Sequence, residues 1–498
     1  MSEQRNSYRQ IMKATSLFGG VQFFQILISV VRSKFVAILL GPTGMGIVGL
    51  LAATTGLVAG LTNFGLGTSA VKNITEANTS GDKDRVATVV SVLRRLVWFT
   101  GLLGTILTLL FSPWLSEFTF GNKEYTLAFI WISITLLFGQ LNTGEQVLLQ
   151  GLRRLKHLAK ANVYGSLSGL LISVPLYYKF GIRGIVPVII VTTFMTFFFS
   201  WYFARKIETK KIKITRSTTI IEGKSMMTMG FMISLSGMIT LIVDYLLRIF
   251  INRTGHVADV GFYNAGFAII NTYVGMVFTA MATDYYPRLS VVSKNNRQCT
   301  ENINQQSEIA LLILAPLLIF FLVFVNWAVI LLYSSQFLVI TGMLYWASLG
   351  IFFKAINWAI AFVFLAKGAG KLYFWNEFFS SIYTLIFNML GYHWGGLSGL
   401  GLSFLLSNLV YLIQVFVVAK VKYHFSFYSS FITIFLVQFM LALLSFSIVK
   451  LVKQPYSYFP GILLIAISVW YSYRELDRRI GIKEIIQSIT QKIKNRQD

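Results

Sequence analysis

Apolar residues run through this chain in blocks, with neither the strict alternation of a half-buried strand nor the one-sided stripe of a soluble helix. Blocks of about 20 residues recur, each long enough as a helix to cross a hydrocarbon core of roughly 30 Å. Polar and charged residues collect in the gaps. The pattern predicts helices over 15–40, 45–67, 88–112, 125–142, 162–179, 185–204, 226–252, 260–283, 308–333, 337–365, 372–392, 395–419, 429–449 and 458–473. The expected class is all-α, a polytopic membrane protein of about 14 transmembrane helices.

Composition strengthens that reading. Of 498 residues 55% are hydrophobic and 12% charged, and the mean hydropathy is +0.67, outside the range of ordinary soluble domains. Lysines and arginines fall mainly in every second loop: Lys72, Lys83, Arg85, Arg94 and Arg95, then Arg153, Arg154, Lys156 and Lys160, then the run from Arg205 to Lys224. The positive-inside rule places that side, and both termini, in the cytoplasm of a multi-pass inner (plasma) membrane protein. The net charge of +24 then reads as topology and attraction to anionic lipid, with no nucleic-acid footprint. The single cysteine, Cys299, excludes a disulfide framework. The polar N-terminus leads into a long apolar run without a small-residue cleavage site, as expected of a retained first helix.

The basic stretch Ala204 to Ser225 follows the sixth helix and divides the chain. Features recur across it at a nearly fixed offset: Arg32 with Arg248, Gly46 with Gly261, Lys72 with Arg288, and Gly151 with Gly368. The expected organisation is an N-lobe over 1–204, a cytoplasmic linker over 205–225 and a C-lobe over 226–422. Six helices return the chain to its starting side, so the lobes would be parallel pseudo-repeats. Two further helices occupy 423–473, and 474–498 reads as a cytoplasmic amphipathic tail, with Ile482, Ile485, Ile486, Ile489 and Ile493 on one face.

No phosphate loop, CxxC, HExxH or GxSxG is present, and His157, His256, His393 and His424 lack ligand spacing. Neither an enzyme, a metal site nor a cofactor is expected. What stands out is charge inside apolar helices, which costs roughly 2.5–3.5 kcal/mol per residue at a helix centre and therefore marks a cavity, a partner or a snorkelling stem. Four cations lie there, Arg32, Lys34, Arg248 and Lys354, against one acid of similar depth, Asp244. Gln22, Gln25, Ser29 and Arg32 share one face of the first helix, a polar stripe leading to Arg32. Asp244 and Arg248 are four apart, the spacing of a helical ion pair that is either permanently closed or opened when an anion takes the arginine and the acid takes a proton. Lys354 has no acid within a turn, while Lys34 can snorkel outward. Arg32, Arg248 and Lys354 are the candidate anion-binding cations, and Asp244 the candidate coupling residue.

At LLGPTGMGIVGLL and NFGLGTSAVKNITEA, and again at LQGLRRLK, VGFYNA, YPRLS and LLYSSQF, the chain resembles the polysaccharide transporters, in particular the O-antigen (Wzx-type) flippases of the multidrug/oligosaccharidyl-lipid/polysaccharide exporter superfamily. The resemblance implies two six-helix lobes opening alternately to either side. It implies a cationic central cavity for the diphosphate and sugars of a polyprenyl-diphosphate-linked oligosaccharide, with membrane lipid around the prenyl tail and the polysaccharide polymerase machinery as a further partner. Through related lipid-linked precursor flippases, it also gives Arg32 the role of the first-helix arginine. Many O-antigen flippases have twelve spans, and fourteen is closer to the lipid II flippases. A drug or organic-cation antiporter of the same superfamily, or a lipid II flippase, is the alternative, although an antiporter for cations calls for deep acids.

Overall fold

The structure, a computed structural model, describes residues 2–480 apart from 208, 209, 211 and 213. The isoleucine face expected over 482–493 lies outside the described residues. Among them the secondary structure is entirely helical. Among the described residues, eight helical segments are long and apolar enough to cross a membrane. Three of these run 42, 50 and 54 residues, about twice what one crossing needs.

Each long segment breaks once, and glycine is at every break. The first helix, α1 (Ser2–Thr62), turns at Gly41, where φ is 65° immediately before Pro42. Only glycine takes that conformation at little cost, and proline is suited to the start of the next arm. The second long segment is α7 (Leu155–Phe180) and α8 (Ile185–Ala204), separated by a tight turn from Gly181, φ 54°. The third breaks at Gly396, also φ 54°. Counting both arms of each, and adding three further helical regions given below, yields the fourteen crossings that the apolar blocks predict.

Compact packing divides the chain into two units. The first runs through Asn264 and includes Leu332–Phe337. After α1 it contains α2 (Leu66–Thr79), α3 (Lys83–Leu110), the short α4 (Ser112–Phe120), α5 (Thr126–Ile132) and α6 (Ile134–Gly151), then α7, α8, α9 (Arg216–Thr254) and the first part of α10 (Val257–Ala268). Lys72, expected in a loop, lies within α2, which prolongs the second crossing.

The core of this unit is aliphatic: Ala70 and Ile74 of α2, Val89, Leu93 and Val97 of α3, Leu148 of α6, Ala161 of α7 and Met226 of α9. Polar ties hold α9 to it. Arg85 meets the Glu222 carboxylate with two hydrogen bonds, at 2.6 and 3.0 Å, and Arg95 donates to the Thr219 hydroxyl and the Ile214 carbonyl. At the other end, Asn252 donates to the Thr119 carbonyl, and the Tyr245 hydroxyl pairs with that of Thr119 at 2.7 Å. The upper arm of α1 crosses α10 through glycine: a Cβ on Gly46 would fall 1.9 Å from the Val257 carbonyl oxygen, and one on Gly261 1.9 Å from that of Pro42.

The second unit holds Ala265–Leu331 and the chain from Leu338. Its helices are the remainder of α10, α11 (Gly275–Val291), α12 (Asn296–Leu332), α13 (Thr341–Ala366), α14 (Gly370–Tyr423), α15 (Ser429–Leu451) and α16 (Tyr458–Ile480). The three further helical crossings are therefore α9, α10 with α11, and α16. Burial is deepest in α13, whose Ala347, Ile351, Ala355, Ala359 and Phe364 are inaccessible. It lies against α14, with Gly401 so close to the Met343 carbonyl that a Cβ would fall 2.2 Å away. Gln438 bonds the Ser468 and Ser472 hydroxyls, tying α15 to α16, and the buried Glu308 of α12 bonds Ser430 and Arg479.

Candidate functional site

The first unit contains a cavity of about 310 Å³ between α1, α6, α7 and α8. The lower arm of α1 contributes Gln25, Ser29 and Arg32, the polar stripe expected from the sequence. Gln22, at the start of that stripe, is exposed and does not line the cavity. Asn142 enters from α6, Ser166 from α7, and Thr192, Thr193 and Thr196 from α8. Gly165 and Gly169 face Thr196 and Thr192, so that α7 approaches α8 across a small-residue stripe of the kind that packs membrane helices.

Arg32 is half-buried beside the buried Tyr177 hydroxyl. Among the described residues it forms no ion pair. Every other polar group in the lining is a neutral hydroxyl or amide. A guanidinium with five donors, ringed by neutral hydrogen-bonding groups, suits an anion with several acceptor oxygens.

Arg248, by contrast, is engaged. It forms an ion pair with Asp244 on the same helix, its Nε donates to Asn264 Oδ1 at 2.9 Å, and its guanidinium sits 5.6 Å from the centre of the Tyr263 ring. Its side chain is 18% exposed and that of Asp244 40%. It does not line the Arg32 cavity. Asn264 is itself wedged against α1, since a Cβ on Gly49 would fall 1.8 Å from its Nδ2.

Lys354 lies on α13 in the second unit, half-buried, with its ammonium 5.7 Å from the centre of the Phe404 ring. Among the described residues it makes no hydrogen bond or ion pair. Its neighbours are occupied: Asn357 bonds Asn408 at 3.2 Å, and Trp358 packs on Phe278 and Tyr285. Three cations of the sequence-based set are thus in three environments: Arg32 in a hydrophilic cavity, Arg248 in a closed pair, and Lys354 against an aromatic ring.

The structure adds a group that charge-based reading passes over. Asn142 Oδ1 accepts from the Ser200 hydroxyl at 2.7 Å and from Gln146 Nε2 at 3.3 Å, and Gln146 also donates to Asn162 Oδ1 at 3.0 Å. Asn142 and Gln146 are four apart on α6. That spacing of two amides was the available signal.

Residues 35–342 match the family described as "Polysaccharide biosynthesis protein". No curated protein matches the chain. Among solved structures, it is similar to an inward-facing multidrug resistance MATE family transporter of the MOP superfamily, with TM-score 0.68, 19% identity, and 80% of this chain and 94% of that one covered. It is also similar to the lipid II flippase MurJ in an inward closed conformation, with TM-score 0.68 and 16% identity over 92% of this chain and 99% of that one. A third is a MOP superfamily transporter from Pyrococcus furiosus Vc1 (DSM3638), described by the reverse polarity of its binding pocket, with TM-score 0.57, 18% identity, and coverage of 83% and 96%. At these identities the likeness is one of fold.

Proposed function

Since the chain belongs to the polysaccharide biosynthesis protein family, we propose that it carries a polyprenyl-diphosphate-linked oligosaccharide from the cytoplasmic to the periplasmic leaflet of the inner membrane. The observation that carries this reading is Arg32, a cation without a counter-ion among the described residues, in a cavity of neutral hydroxyls and amides. A diphosphate supplies the missing charge, and sugar hydroxyls match the remaining groups. The process is transport by alternating access, with no bond made or broken.

Arg248 takes part when its pair with Asp244 opens, and Asp244, released, takes up the coupling proton. Lys354 supplies a further cation for the phosphate or for acidic sugars. Both termini are cytoplasmic, and the product is handed to the polymerase machinery on the far side. The sign of the cavity weighs against a drug or organic-cation antiporter, which needs a carboxylate where Arg32 stands. Lipid II is the second reading, supported by the fold likeness to MurJ over 92% of the chain.

Complementation tests the proposal. In a strain lacking the gene, Arg32→Ala is expected to abolish surface polysaccharide while the protein stays in the membrane at normal level. Surface polysaccharide at the parental level in that strain would overturn the assignment. A growth defect with accumulated cell-wall precursor, and unchanged surface polysaccharide, would select lipid II instead.

A further inference from the structure

The amide network behind the cavity sets the direction of one of its hydrogen bonds. Asn142 Oδ1 receives two donors, the Ser200 hydroxyl and Gln146 Nε2. Gln146 uses the same amide nitrogen for Asn162 Oδ1. With its oxygen committed to the helix interface, Asn142 has only Nδ2 to offer the cavity it lines beside Arg32. That nitrogen makes no hydrogen bond among the described residues.

We infer that Asn142 is a second anion donor of this cavity, facing the ligand with Nδ2, and that Gln146, Asn162 and Ser200 are positioning residues that keep it a donor. This rests on the reading of the Arg32 cavity as an anion site and makes it more specific. A free asparagine would turn either end to a ligand and accept from a sugar hydroxyl or a cation as readily as donate to an oxyanion. Pinned from behind by residues of α6, α7 and α8, it presents a donor only, so that with Arg32 it selects a group of acceptor oxygens such as phosphate. A hydroxyl can still meet the site by accepting, whereas an ammonium cannot. The network therefore sets specificity for charge and leaves sugar identity to other contacts.

The test uses full-length protein in lipid nanodiscs and inorganic diphosphate as the probe, with binding followed by calorimetry. Asn142→Asp keeps the shape and replaces the donor with a carboxylate. Gln146→Glu does not touch the ligand but turns an acceptor toward Asn142, so that the asparagine amide must reverse and show its oxygen to the cavity. Both are expected to bind diphosphate at least about tenfold more weakly than wild type, and Gln146→Leu, which leaves Ser200 in place, less affected than Gln146→Glu. Elution as a monodisperse species checks that each variant is folded, and if Asn142→Asp is not, Gln146→Glu carries the test alone. Wild-type affinity in the folded charge-altering variants, with loss in Arg32→Ala, would overturn the role of Asn142 while leaving the anion site standing. Absence of diphosphate binding by the wild type would overturn the anion site itself, and this inference with it.

Discussion

The Nε of Arg248 donates to Oδ1 of Asn264 at 2.9 Å, a bond between the seventh crossing and the start of the eighth that leaves the arginine's other end to Asp244. The arginine is therefore held by partners on two helices, and removing either one leaves a partly buried charge short of a partner. Asp244→Ala is expected to destabilise the protein by about 1–3 kcal/mol, less than a fully buried pair because the carboxylate is 40% exposed. A thermal-unfolding midpoint unchanged in detergent would contradict this. The exchanged pair Asp244→Arg with Arg248→Asp should recover part of the stability without recovering transport.

Gly46 and Gly261 sit where no side chain fits, each with its added Cβ 1.9 Å from a facing carbonyl oxygen. Gly46→Ala or Gly261→Ala should force α1 and α10 apart and cost about 1–3 kcal/mol, as over-packing of a close contact does. Gly56→Ala is the control, since nothing lies within 4 Å of its added Cβ. Equal unfolding midpoints for all three variants would refute the close crossing.

Lys354 makes no ion pair or hydrogen bond among the described residues, which is a poor use of an ammonium if stability were its purpose. Lys354→Met is expected to leave the unfolding midpoint equal to or above that of the wild type while lowering flipping of a lipid-linked diphosphate at least about tenfold. Undiminished flipping in reconstituted vesicles would make the lysine a snorkelling residue only.

The proposed orientation is open to labelling. Cys299 is 1% exposed, so background reaction is low, and Cys299→Ala removes it entirely. In that background a cysteine at Lys123, in the turn between α4 and α5, should react in intact cells with an impermeant maleimide, and one at Arg154 only after lysis. The reverse pattern would turn the whole protein over.

The crossings were legible because the membrane imposes one rule on every segment: a long apolar run must satisfy its own backbone, and only a helix does so. The run from Gln25 to Arg32 was legible for a related reason, since polar residues in such a run betray the wet side at helical spacing. The same spacing identified Asp244 and Arg248, which the structure joins. Asn142 was not legible. A neutral amide in a membrane-spanning helix is common glue between helices, and its direction depends on Gln146, Asn162 and Ser200, two of them on other helices. Nor did the sequence separate Gly41 from Gly46 as the turn in GPTGMG, because a positive φ and a backbone-to-backbone contact both require glycine. The first shapes the chain locally and the second depends on a helix more than 200 residues away.

The crossing of α1 and α10 at Gly46 and Gly261 brings backbone against backbone, with the Asn264 side chain seated one turn further on against Gly49. At the two glycines themselves the contact is between main chains, and a contact between main chains is fixed in register by the backbone and not by the fit of side chains. It resembles a zip fastener more than a weld: one added methyl group on either glycine would throw the two arms out of register.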